Sequence, residues 1–205
     1  MTDVTPLDAQ PHYTPGAAKL LAAASDLFYR EGIHAVGVDA IASAAGVTKK
    51  TLYDRFGSKD ALIVAYLRER DARWRQYLEA ELAHQPKGSI ERILAVFDAS
   101  GRWAVDNCEK GCSAINAHAE MNDPAHPVAV ETTRQKKWLR DLLEQLCTEA
   151  SIADAKKAAN TMMLLYEGAL VTTGMGTFSG PFTTARESAA HILTALNAKC
   201  DLEVQ

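Results

Sequence analysis

Thr48, Lys49, Lys50, Thr51, Tyr53 and Lys59 gather hydroxyl and ammonium groups into one short stretch of this chain. Between Gly46 and Lys59 there are four basic side chains, Lys49, Lys50, Arg55 and Lys59, against the single acid Asp54. Such donors suit phosphate oxygens and the acceptor edge of guanine, and a threonine methyl suits the methyl of thymine. Lys49 and Lys50 fall in the first turn of an expected helix, where a cation opposes the helix dipole and Asp or Glu would be the stabilising choice. A bound phosphate or base edge accounts for the lysines; a solvated, charged helix end is the bland alternative.

A second set lies further on. Cys108 and Cys112 are four residues apart, and His118 and Glu120 follow. On one helix the two thiols would share a face and could bind a metal or oxidise together. Gly111 stands between them, and a free cysteine is often simply buried. His118 and Glu120, two apart, would point in different directions on a helix. No nucleophile–base motif, phosphate loop or zinc signature is present, so an enzyme would lack its catalytic pair.

The elements that carry the first set are legible. Val38, Ile41, Ala42 and Ala45 keep helical spacing, Gly46 provides a left-handed stop, and Thr48 stands at an N-cap before Lys49–Phe56. Gly57 ends that helix and Ser58 caps the next. Helix, short glycine turn, helix is the helix-turn-helix pattern, here about residues 38–57, whose second helix enters the major groove.

The residues say more than the pattern. Val38-Asp39-Ala40-Ile41-Ala42, then Ala45-Gly46-Val47-Thr48-Lys49-Lys50-Thr51-Leu52-Tyr53-Asp54-Arg55-Phe56-Gly57-Ser58-Lys59-Asp60-Ala61-Leu62, closely resembles the DNA-binding segment of the tetracycline-repressor (TetR) family. Ala24, Leu27, Phe28 and Gly32 stand where that family has its alanine, leucine-phenylalanine pair and terminal glycine. The resemblance is strong over about residues 17–66 and general in shape beyond. It implies that Thr48, Lys49, Lys50, Thr51, Tyr53 and Lys59 contact DNA. Asp54-Arg55 departs from the family's commoner aromatic-rich form, which implies a base preference of its own.

Charge supports a small footprint. The whole chain of 205 residues carries a net charge of −4, and residues 1–60 hold six basic and seven acidic side chains. The excess of cations is confined to the motif, as suits a dimer reading two separated half-sites. No apolar run approaches a membrane span, and the first residues lack a signal peptide's apolar core, so a soluble cytoplasmic protein is expected. The four cysteines, Cys108, Cys112, Cys147 and Cys200, show no CxxC spacing and read as thiols.

Along the chain, residues 1–15 hold Pro6, Pro11 and Pro15 and read as a flexible arm without the basic residues many TetR-like proteins have there. Helices are expected at 16–31, 38–45, 49–56, 58–84, 89–107, 112–121 and 127–150. An eighth should run from a Ser151/Asp154 capping box to about Thr177, and a ninth from a Thr184/Glu187 capping box. With no strand signals the fold class is all-α: an N-terminal three-helix DNA-binding domain at 16–61, then a helical ligand-binding and dimerisation domain at 62–205. Met162 to Met175 is apolar on nearly every face, which a subunit interface would explain, with Gly168, Gly174 and Gly176 admitting a close backbone. Leu170, Gly174 and the terminal stripe Ala189, Ile192, Leu193 and Leu196 are the interface candidates.

The resemblance further implies a ligand cavity. Trp74, Trp103, Asn107 and Cys108, then Asn116, His118, Glu120 and Met121, then Met162 and Tyr166, lie on helices that surround the cavity in TetR-like regulators. The alternative for each is ordinary core. The mixture points to an apolar or aromatic small-molecule effector with one or two polar groups. The expectation is a homodimeric repressor released by such an effector from a (pseudo)palindromic double-stranded operator, with no cofactor, resident metal or enzymatic activity. The alternative is a metal- or redox-responsive regulator using Cys108 and Cys112. A small helical enzyme, or an interaction module that no longer binds DNA, is the remaining class.

Overall fold

The structure, a computed structural model, describes residues 13–203, with side chains through residue 197. Residues 1–12 of the expected arm lie outside the described residues, as does the side chain of Cys200. Among the described residues there are nine helices and no strand: α1 Pro15–Glu31, α2 Val38–Ala44, α3 Lys49–Phe56, α4 Lys59–Ala83, α5 Ile90–Asn107, α6 Ser113–Ala119, α7 Pro127–Glu149, α8 Ala155–Met175 and α9 Pro181–Glu203. None of the described helices is long and apolar enough to cross a membrane.

The chain divides into two compact units, residues 1–73 with 113–133, and residues 74–112 with 134–205. The expected boundary at 61/62 therefore does not mark the compact units. The first turns of α4, all of α6 and the start of α7 belong with the helix-turn-helix, because Leu62, Ile63, Tyr66, Leu67, Ala117 and Val128 are buried in its core.

In that first unit the start of α1 has a local cause. Pro15 sits in the first turn of α1, where its missing N–H costs nothing, and the Thr14 hydroxyl accepts from Ala17 N at 3.5 Å. Pro15 is thus helix, not arm. Leu20, Leu21, Ala24 and Phe28 face inward until Gly32 stops the helix at φ +89°. α2 presents Ile41, and α3 presents Leu52, both with no exposed surface. Gly46 turns the chain between them at φ +65°, and Val47 N donates back to Ala42 O at 3.0 Å.

In the second unit α5 and α9 pack together, as do α8 and α9, around Phe97, Met162, Ala189 and Leu193, none of which is exposed. Tyr166 meets Phe97 and Phe182 edge-on, with centroids 6.5 and 5.8 Å apart. Two helix starts differ from expectation. Ser151 does not cap α8, because it still belongs to the end of α7: Ser151 N donates to Thr148 O and Ile152 N to Cys147 O, each at 3.0 Å. Asp154 caps α8 instead, its carboxylate accepting from Lys157 N at 3.2 Å. Thr184 does not cap α9, because Gly180 O already accepts from Thr184 N at 3.1 Å and Pro181 opens the helix.

The interface candidates are also redistributed. Ala189 and Leu193 are fully buried within the single chain, and Leu170 is 5% exposed. Gly174 does admit a close backbone, but it is the chain's own: a Cβ there would stand 2.6 Å from Gly111 Cα. α8 is apolar on many faces because one face packs inward and another remains open. On that open side Leu164 is 75% exposed, Val171 41% and Met175 72%, followed by Phe178, and nothing lies within 4 Å of a Cβ at Gly168.

Candidate nucleic-acid interface

The leading end of α3 is built by its cap. Thr48 Oγ1 accepts from Thr51 N at 3.2 Å and lies 3.0 Å from the Thr51 hydroxyl, so the two threonines are locked as a pair. Thr48, Lys49 and Lys50 are exposed, and Thr51 is half-buried. Tyr53, one turn on, is 48% exposed although aromatic, which leaves its hydroxyl able to meet a partner. Leu52 is the one fully buried residue of α3, with half-buried Phe56 packed on the same core, so most of the remaining helix surface faces outward. The Ser58 hydroxyl accepts from Ala61 N at 3.0 Å, and Lys59 opens α4 beside amides of that helix start.

The lysines are not equivalent. Lys49 Nζ pairs with Asp39 on α2 at 2.7 Å, while Lys50 Nζ pairs with Asp54 one turn along α3 at the same distance. The hydrogen bond to Asp39 raises the Lys49 pKa against the slight opposing effect of burial. Lys49 is thus a committed cation held across the turn by an acid of the preceding helix. The sequence reading missed Asp39 as a partner; its only signal was an acid in the first turn of α2, which helix-dipole chemistry already explains. Tyr13 also went unnoticed, its ring 5.9 Å from that of Phe56 at the end of α3.

The other candidates fall in both units. Glu120 is engaged within the first: Oε1 accepts from Ile33 N at 3.0 Å, and Oε2 accepts from His34 N at 2.7 Å and lies 2.9 Å from His34 Nδ1. Burial acts to raise its pKa, but the backbone donors of His34 and Ile33 and the His34 ring outweigh it and hold the carboxyl below the usual glutamate value. Glu120 secures the α1–α2 loop, and Gly32 there lets it approach to 3.1 Å of a would-be Cβ. His118 Nδ1 lies 2.9 Å from Thr132 Oγ1, Met121 packs on the first unit's core, and Asn116 is exposed.

In the second unit Trp74, Tyr77 and Trp103 form a ring cluster with centroids 5.2–6.1 Å apart. Asn107 Nδ2 donates to Trp103 O at 3.1 Å. Cys108, Met162 and Tyr166 are core, and burial, first among several causes, pushes the Tyr166 phenol well above its ordinary value. Arg75, only 6% exposed, lies over the Trp138 ring at 4.0 Å. A charged residue in helical register with Leu78 and Leu82 was the signal for it. Cys108 and Cys112 do not share a helix: α5 ends at Asn107, and Gly111 at φ +77° turns the chain between them. Among the described residues no three His, Cys, Asp or Glu side chains come together as a metal site.

Residues 20–66 match the family described as bacterial regulatory proteins, tetR family. Over 49 residues the chain is 51% identical to the HTH-type transcriptional activator FasR of Mycolicibacterium smegmatis, a match covering 24% of this chain and 22% of FasR. It is 32% identical over 91 residues to an HTH-type transcriptional regulator of Mycobacterium tuberculosis, covering 44% of this chain and 45% of that protein. The chain thus spans less than half the length of these curated relatives. The crystal structure of SCO4454, a TetR-family transcriptional regulator from Streptomyces coelicolor, superposes with a TM-score of 0.81 at 32% identity, covering 88% of this chain and 95% of that one. The helix-turn-helix residues, the all-helical fold and this likeness over most of both chains have one meaning: the chain belongs to the TetR family of DNA-binding transcriptional regulators.

Proposed function

We propose that the chain acts as a homodimeric, cytoplasmic repressor that a small apolar or aromatic molecule releases from a (pseudo)palindromic operator. The observation that carries the reading is the open leading end of α3, where Thr48, Lys49 and Lys50 stand exposed with Tyr53 behind them. In this reading Thr48, Lys49 and Thr51 meet base edges, and Tyr53 and Lys59 hold phosphates, with Lys50 able to do either. The apolar strip Leu164, Val171, Met175 and Phe178 supports a second copy of the chain as partner, joined by the half-buried Ile192 and Leu196. The Trp74–Tyr77–Trp103 cluster, with Asn107 beside it, supports an aromatic or apolar effector. Trp103 and Asn116 are the positions whose loss should blunt its effect. Release follows if the effector binds better to a conformation whose recognition helices no longer match the half-site spacing. The chain works by binding, without catalysis.

Selection from random duplex DNA, followed by single-base variants and a salt series, tests the reading. Lys59→Ala should weaken all sequences alike and reduce the log–log salt slope by about two per dimer, roughly one per lysine–phosphate contact. Lys49→Ala should relax preference at one symmetric pair of positions, on the order of tenfold per half-site. If neither variant matters, α3 does not occupy the groove. A second reading, activation instead of repression, draws on the likeness of this helix-turn-helix to that of the activator FasR. Transcription from the selected site with and without the protein separates the two.

A further inference from the structure

A group of reactive side chains in the second unit takes no part in the functions above. Cys112 ends the connector between α5 and α6, Lys136 is on α7 and Glu167 is on α8. Lys136 Nζ donates to Cys112 Sγ at 3.4 Å and to the two Glu167 carboxylate oxygens at 2.8 and 3.0 Å. We propose that Cys112, held against the Lys136 ammonium, is a covalent modification site for soft carbon electrophiles of the α,β-unsaturated carbonyl class.

The backbone places the thiol there. Cys108 N donates to Ala104 O and closes α5, and Gly111 N donates to Cys108 O at 2.8 Å. Gly111 adopts a φ of +77°, which a side chain would strain, and its Cα lies where a Cβ on Gly174 of α8 would be only 2.6 Å away. Two glycines in contact thus pin the connector to α8 and bring the next residue, Cys112, to Lys136. Any larger residue at 174 would hold the thiol off.

The charges are arranged to keep the lysine protonated. Burial acts to lower the Lys136 pKa, but Cys112 and Glu167 outweigh it and the pKa is raised. The ammonium is thus kept within hydrogen-bond reach of the sulfur, where it can supply the proton that an adduct needs. Access separates this thiol from the other described cysteines. Cys112 is half-buried beside Lys136 and Glu167 side chains that keep 27% and 25% of their surface. Cys108 is buried, and Cys147 is fully buried with its thiol pushed up to about 11 by burial and by Glu144. For packing alone the position asks only for a small apolar side chain, and the Lys136–Glu167 pair would be complete without a sulfur.

The reaction balances without an oxidant. The Cys112 sulfur, its proton passing to water, forms a sulfur–carbon bond to the β-carbon of the enone while the carbon–carbon π pair moves toward the carbonyl oxygen. The resulting enolate takes a proton from the Lys136 ammonium at the α-carbon, and the amine regains one from water. The product is a thioether ketone, and nothing is oxidised or reduced.

The test is alkylation of the full chain with cyclohex-2-enone at neutral pH, followed over time by peptide-resolved mass spectrometry that assigns each adduct to its own cysteine. Cys112 in the folded protein should react faster than Cys108 and Cys147, and faster than Cys112 in the urea-unfolded chain at the same pH. Lys136→Met should slow it by on the order of tenfold, the weight of one charge-assisted hydrogen bond, and Lys136→Arg should restore part of the rate. Continued protection of Cys147 reports that each variant is folded. A folded-state rate at or below the unfolded one overturns the proposal, and this comparison needs no variant. So does an unchanged rate in folded Lys136→Met protein.

Discussion

Two regions, the surface of α3 and the interior of the second unit, handle charge in opposite ways. In the first, Lys49 and Lys50 ride on the outside of the helix, and their partners Asp39 and Asp54 are ten and four residues away. In the second, cations are drawn inward and meet partners from distant helices: Arg75 of α4 lies over Trp138 of α7, and Lys136 of α7 reaches Cys112 and Glu167. An exposed ion pair contributes at most about 1 kcal/mol and opens readily. In the proposed reading α3 can therefore hand Lys49 from Asp39 to a nucleic acid, whereas inward cations are held by packing that must be disturbed before they are freed.

Core truncation should give the largest effect and tests whether the units respond separately. Phe97→Ala should cost about 3–5 kcal/mol, as a fully buried aromatic, and Ile41→Ala about 2–5 kcal/mol. Trp74, Trp103 and Trp138 all lie in the second unit, so tryptophan fluorescence follows that unit while circular dichroism follows both. Phe97→Ala should lower the fluorescence midpoint. Ile41→Ala should lower only the dichroism midpoint if the units unfold independently; equal shifts in both signals would mean one cooperative unit.

Gly174→Ala comes next. Its new Cβ would meet Gly111 backbone at 2.6 Å, so the connector must move, at about 1–3 kcal/mol. Gly168→Ala, with open space around it, should be neutral or mildly stabilising through helix propensity. Urea midpoints of the two variants measure the contrast, and equal effects would remove the tight glycine contact from the account.

Glu120→Gln should cost about 1 kcal/mol at neutral pH, since the partly exposed carboxylate accepts from two backbone donors and the His34 ring. Because the folded pKa is lowered, the wild-type advantage is present above the ordinary glutamate range and is lost as pH falls through the folded value. Urea titrations of both proteins at several pH values should show the difference closing toward acid. A difference independent of pH would leave only a neutral hydrogen bond at this position.

The smallest effect should come from Asp39→Asn, which frees Lys49 and, in the proposed reading, removes a negative charge beside the DNA. Operator affinity should rise a few-fold, the scale of an exposed pair, while the thermal midpoint stays unchanged. Weaker binding measured by fluorescence anisotropy would mean that Asp39 orients Lys49 for reading instead of restraining it.

Two double substitutions sharpen the remaining contrast on α8. Charges at Leu164 and Val171 should give monomers in sedimentation without unfolding, because both side chains are exposed. Charges at Leu170 and Leu193 should unfold the chain instead, because both are its own core.

By itself the sequence determined what depends on neighbours along the chain. The α1, α2 and α3 boundaries, the Thr48 and Ser58 caps, the Gly46 stop and the basic cluster of the motif are all interactions within about four residues, so residue type and spacing specify them. Tertiary structure decided whatever joins distant segments. Capping boxes at Ser151 and Thr184 looked plausible locally, yet the end of α7 claimed Ser151 and Pro181 opened α9 three residues before Thr184. Met162 to Met175 looked uniformly apolar, but packing of α8 with α5 and α9 made Leu170 core and left Leu164 outside. Glu120 lies 86 residues from His34, and Lys136 lies 24 from Cys112. Hydrogen bonds of that reach exist only after helices pack, and packing depends on the shape of whole faces, which no local pattern of residues encodes.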